Sequence, residues 1–108
     1  VNVNEYLKAE HKRYAKLNRN SIYGHARQVV CVDGFSVSVQ ASEAHYCSPR
    51  ENAGPWDSVE LGYPSEAVAE FMEYAEEPAR PTDTVYGWVP VAIVEAVIEA
   101  HGGMVAQA

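Results

Sequence analysis

The sequence predicts an α+β fold, a small and mostly antiparallel sheet with three helices in the order αββ(β)βαβα, within one domain spanning residues 1–108. Three observations carry this expectation. Apolar residues recur at helical spacing near the N-terminus. Two β-branched runs flank Asp33-Gly34. Strand-like and helix-like segments then alternate between punctuating prolines, Pro64, Pro78, Pro81 and Pro90.

From Asn4 to about Asn18, the residues Val3, Leu7, His11, Tyr14 and Leu17 mark an amphipathic helix, with Lys8, Lys12, Lys16 and Arg19 along another face. The cluster Asn18, Asn20, Ser21 and Gly24 is expected to end it. QVVCVDGFSVSVQ then reads as a hairpin, because Asp-Gly tolerates the positive φ of a type I′ turn. In its second strand Phe35, Val37 and Val39 alternate with Ser36, Ser38 and Gln40, so one face packs and one is wet. The run Val29–Val32 does not alternate, which predicts the more central strand.

Residues 41–57 read as a short strand about Tyr46 leading into a long loop that holds Pro49, Gly54 and Pro55. SVELGY is a strand ended by Pro64. Ser65-Glu66 opens a helix with Val68, Phe71, Met72 and Ala75 on its apolar face, stopped by Pro78 and Pro81. TVYGWV returns as a strand, and VAIVEAVIEAH forms a last helix from Pro90 to Gly102-Gly103.

The charge is unevenly placed. Residues 1–30 carry +4 and the rest −11, for a net −7. An acidic domain repels the nucleic-acid backbone, so direct nucleic-acid binding is not expected. No apolar run reaches the roughly 20 residues of a spanning helix, and VNVNEYLKAEHKRY lacks a signal-peptide core, so the expectation is a cytoplasmic protein with no membrane partner. Cys31 and Cys47 are accordingly read as free thiols.

Chemical motifs are sparse. There is no phosphate-binding glycine loop, nucleophile elbow or kinase signature, so no catalytic residue and no cofactor is assigned. His45 and Cys47 share a strand face, with Cys31, His25 and His101 as further donors, but no paired ligand spacing supports a metal. Glu66, Glu70, Glu73, Glu95 and Glu99 fall on exposed helix faces, which reads either as a solvated acidic surface or as a partner-docking patch. HYCSPRENAGPW is the most chemically varied segment. Tyr46 and Trp56 offer faces for a base or ribose, and Ser48 or Arg50 can meet a phosphate; the alternative is that the aromatics cover the sheet. Tyr86 and Trp88 are expected on one face of their strand, with Gly87 allowing a close approach between them.

The combination CVDGFSVSVQAS, YCSPR, GPW with VELGYPSE, and DTVYGWVPVAIVEAVIEAHGG is similar to a family of small uncharacterised proteins encoded by tailed bacteriophages and prophages. The resemblance covers most of the chain after the first helix and transfers no catalytic residue. It implies a setting in the bacterial host cell, where a compact accessory protein binds and blocks a defence effector, a nucleotide alarm signal, or a transcription or replication factor.

Three expectations for function follow. The leading one is a non-enzymatic counter-defence protein that sequesters a nucleotide-type immune signal through Tyr46, Ser48, Arg50, Trp56, Tyr86 and Trp88. The second is an acidic inhibitor whose Glu66, Glu70 and Glu73 engage a host defence or DNA-binding effector. The third is a small enzyme that uses Cys47 or a histidine-bound metal. A homo-oligomer is expected in each case, formed by covering a sheet edge or an apolar helix face.

Overall fold

The structure, a computed structural model, describes residues 2–18 and 24–106. It is an α+β fold in which a four-stranded antiparallel meander, β1 (Val29–Val30), β2 (Ser36–Gln40), β3 (Ser58–Gly62) and β4 (Val85–Pro90), pairs strictly in chain order. Two α-helices, α1 (Val3–Leu17) and α2 (Val91–Ala100), and one 3-10 helix (Ala69–Tyr74) complete it. Among the described residues, no helix is long and apolar enough to cross a membrane.

Helix α1 starts where Asn2 caps it, its side chain accepting a hydrogen bond from the Glu5 backbone N–H. Its buried positions are Val3, Leu7, Glu10 and Tyr14, whereas Leu17, expected on the apolar face, is 68% exposed. The helix ends at Leu17 with Asn18 as its cap; the remainder of the expected stop, Asn20 and Ser21, and Arg19 of the basic face lie outside the described residues.

A carboxylate takes the place an apolar residue would fill. Glu10 accepts hydrogen bonds from the Arg27 backbone N–H at 2.6 Å, from the Arg27 guanidinium at 2.8 Å and from Arg13 Nε at 3.2 Å. Burial alone would raise the Glu10 carboxyl, but the bonds from Arg27 and Arg13 outweigh it and lower it from 4.5 to about 2. This cluster ties α1 to the segment leading into β1.

The inner face of the sheet carries Val29, Val37, Val39, Val59, Leu61, Tyr86 and Val89, which join Val3, Leu7, Val94, Val97 and Ile98 in one core. The register explains the selection, since Val29 faces Val37, Val39 faces Leu61, Leu61 faces Tyr86 and Val59 faces Val89. Helix α2 ends in a Schellman arrangement, with Gly103 N–H donating to the Ile98 carbonyl and Gly102 N–H to Glu99.

Four local expectations are corrected. The hairpin turn is not type I′: only Gly34 has positive φ (+96°), Gly34 N–H donates to the Cys31 carbonyl, and Cys31 N–H to Phe35. That is a type I turn with a left-handed glycine bulge, a three-residue loop that the Asp33 side chain supports by accepting from Phe35 N–H. The strand expected to be central is β1, two residues long and at one end of the order of the four strands; its run alternates in burial although not in residue type, with Val29 and Cys31 buried and Val30 and Val32 turned outward at 37% and 68% exposed. The expected strand about Tyr46 is absent; residues 42–47 form turns, and only Ser48 bridges to Ser58. The helix expected from Ser65 shrinks to the 3-10 turn Ala69–Tyr74, since Ser65 is bound to β2 through both its backbone N–H and its hydroxyl, Val68 is extended, and Ala75 is held extended in a bridge to Tyr86.

Candidate functional site

The Ser48–Ser58 bridge closes a loop of residues 49–56 at the end of β3, and the turn before it lays Tyr46 across the outer sheet face. Tyr46 is fixed by its backbone. Its N–H donates to Glu60 Oε1 at 3.1 Å, and its carbonyl accepts from Trp88 N–H at 3.0 Å. The approach is possible because residue 87 is glycine: a Cβ there would lie 3.3 Å from the Tyr46 Cβ.

Opposite Glu60 the pairing of β3 with β4 shifts, so that Gly87 and Trp88 together face one residue. Tyr86 and Val89 thereby both reach the core, and Trp88 is turned outward with φ at +51°, a left-handed conformation unfavourable for a bulky side chain. This overturns the expectation that Tyr86 and Trp88 share a face. Tyr86 is fully buried, its ring against Phe71 and its hydroxyl donating to the Pro81 carbonyl, while Trp88 is 52% exposed.

The indole of Trp88 stacks on Tyr46, with ring centroids 4.9 Å apart and planes 28° off parallel. The Arg50 guanidinium carbon stands 5.5 Å from the centre of the same Tyr46 ring, and its Nε donates to the Glu43 carbonyl. Arg50, Tyr46 and Trp88 therefore form one exposed aromatic and cationic surface. Ser48, also exposed, bridges to Ser58 at the base of the loop.

Trp56 does not join them. It is 3% exposed, its backbone N–H and carbonyl both paired with the Asn4 side chain and its indole N–H donating to Glu51. Of the six residues expected to bind ligand, Tyr46, Arg50 and Trp88 meet at the surface, Ser48 is exposed at the base of the loop, and Trp56 and Tyr86 are core. Glu66, Glu70 and Glu73 are all exposed, as expected of a docking or solvated face.

The cysteine and histidine chemistry is occupied locally. Cys47 is buried, its thiol donating to the Ser42 carbonyl, and burial pushes it above its usual range, so it is protonated at neutral pH. His45 Nδ1 is 2.6 Å from the Ser42 hydroxyl, and burial lowers its pKa, against the opposing pull of Glu60. Cys31 is buried in the core, and His101 pairs with Asp33 at 2.6 Å. Among the described residues no group of three or more His, Cys, Asp or Glu is placed to hold a metal.

Comparison with family models, with curated proteins and with solved structures finds no match to the chain.

Sequence reasoning missed the pairing partner of the basic helix face. Lys8, His11 and Lys12 form one wall of a groove whose other wall is residues 52–56. The lysine spacing was legible, but the wall that faces it is brought there by contacts 52 residues apart in the chain.

Proposed function

We propose that this chain is a non-enzymatic binding protein that captures a nucleotide-type ligand on the surface made by Arg50, Tyr46 and Trp88. The observation that carries the reading is Trp88. A left-handed backbone at a non-glycine residue costs about 1–3 kcal/mol and persists where surrounding structure enforces it. Here the bulge and the Tyr46 carbonyl enforce it, and the result is an indole that contributes nothing to the core and stands in solvent beside a second ring.

Such a surface accepts a flat base by stacking. With Arg50 Nε committed to Glu43, its two terminal nitrogens are the donors for a phosphate, and the Ser48 hydroxyl is a further one. In the phage setting that the sequence resemblance implies, this reading becomes sequestration of a nucleotide immune signal in the host cell.

The test is a titration with cyclic dinucleotides, ADP-ribose and NAD, followed by tryptophan emission. A binding nucleotide is expected to quench Trp88, and Trp88→Ala to weaken binding by roughly 5- to 150-fold, the range for one lost base–aromatic stack. Wild-type affinity in Trp88→Ala and Arg50→Ala, or no binding of any nucleotide, would sink the reading.

A second reading is favoured by the exposed glutamates. Glu66, Glu70, Glu73, Glu76 and Glu77 lie within 12 residues, and Arg80 is the one cation that pairs with any of them among the described residues. An acidic inhibitor acting through this segment would bind a basic partner with steep salt dependence. Glu70→Lys with Glu73→Lys is expected to abolish such inhibition; retention of full inhibition by that variant removes the reading.

A further inference from the structure

The groove between α1 and residues 52–56 lies away from the Trp88 surface and has a volume of about 420 Å³, within the range of small-molecule sites. Its lining is mainly carbon, from Ala53 and Pro55 over the buried Trp56 on one side and from the carbon stems of the polar α1 side chains on the other. The wall opposite the helix is held in place. Asn4 pairs with both backbone groups of Trp56, at 2.7 and 3.0 Å, and Gly54 is packed so closely on the indole that a Cβ there would lie 2.7 Å from Cε3. A site fixed in advance loses little ordering entropy when it is filled.

The lip is the unusual part. Lys8 and Lys12, one helical turn apart and both exposed, form no ion pair among the described residues, although the chain carries −7 overall and the other α1 carboxylate, Glu10, is taken by Arg13 and Arg27. Glu5 is the one carboxylate on the lining, so the lip keeps a positive excess. Beneath it, His11 Nε2 lies 2.8 Å from the Ala41 carbonyl; a carbonyl only accepts, so Nε2 carries the hydrogen and the ring is held against Trp56 at 5.2 Å.

We infer that this groove is a second binding site, for a small amphipathic anion: an apolar body seated between α1 and Pro55-Trp56, ended by a carboxylate or phosphate between Lys8 and Lys12. The apolar walls supply burial and the paired ammonium groups supply the charge preference. Each component alone is weak, since an exposed lysine pair is screened by salt and a 420 Å³ trough is open to water, so the site selects molecules that carry both features.

The experiment is NMR titration of the full chain with octanoate, phenyl phosphate, inorganic phosphate and octan-1-ol. Octanoate or phenyl phosphate is expected to shift the amides of residues 4–12 and 52–56, and the preferred one of the two shows which pairing of apolar body and head group the groove favours. Inorganic phosphate and octan-1-ol are expected to bind at least about tenfold more weakly, and Lys8→Glu with Lys12→Glu to weaken the preferred anion by at least about tenfold with an unchanged amide spectrum elsewhere. Trp88→Ala is expected to leave this binding intact, which separates it from the nucleotide reading. The inference is overturned if neither organic anion shifts these residues, or if the double variant binds as well as wild type.

Discussion

Replacing Glu10 with alanine is expected to destabilise the protein by about 3–5 kcal/mol, a large share of the roughly 5–15 kcal/mol that holds a domain of this kind together. The size follows from what is left behind. Arg27 and Arg13 converge on one buried carboxylate, and without it the Arg27 backbone N–H loses its 2.6 Å acceptor and both guanidinium groups lose their ion-pair partner at the junction of α1 and the segment entering β1. Denaturant unfolding measures this directly. The same carboxylate makes stability depend on acidity. Its folded pKa is about 2, below the ordinary 4.5, so the contribution is present above pH 4.5 and is lost as pH falls through that value toward the folded one. The drop corresponds to about 3 kcal/mol, in line with the expected cost of removal. Glu10→Gln should therefore flatten the acid limb of the stability curve, and a variant that keeps the wild-type slope between pH 4.5 and about 2 would show that another group is responsible.

Tyr86→Ala is expected to cost a further-reaching 3–5 kcal/mol or so, the usual range for deleting a buried aromatic ring. Tyr86 is among the largest fully buried side chains, it faces Leu61 across β3 and β4, and its edge meets Phe71 at 6.0 Å, so it joins the sheet to the 3-10 helix. Tyr86→Phe keeps the ring and loses only the hydroxyl bond to Pro81, for about 1 kcal/mol. Both values are read from urea midpoints. If Tyr86→Ala instead costs under about 1 kcal/mol, the ring is not the keystone of this corner of the core.

These two residues also show what was legible in the sequence. The alternation of Ser36–Gln40 places its strand correctly because one face packs and the other is wet, and the spacing Val91, Val94, Val97 and Ile98 marks the buried side of α2. Glu10 was invisible, because a buried carboxylate is specified by arginines, one of them 17 residues away, rather than by any local pattern. Tyr86 and Trp88 read as one face on strict period two, and a single bulge opposite Glu60 reversed that assignment. Of residues 46–56, the approach of Arg50 to the Tyr46 ring fits their closeness in sequence. The burial of Trp56 was not legible, since it is decided by Asn4 in the first turn of α1.

The strands at the two sides of the sheet have a bearing on how this protein can meet others. Residues 104 and 105 pair along β1, through the Cys31–Met104 bridge and the Val105 bond to Val30, while Ala75 and Glu76 pair with Tyr86 and Val85 along β4. Both margins of the meander thus carry chain of their own at these positions, which blunts the template for strand addition and for the edge-to-edge stacking that leads to fibres. Self-association by joining sheets, one of the routes expected from the sequence, is disfavoured on this geometry. The proposed binding surfaces are then side chains presented on a framework with covered margins, so substitutions in them are expected to leave the hydrogen-bonded scaffold undisturbed.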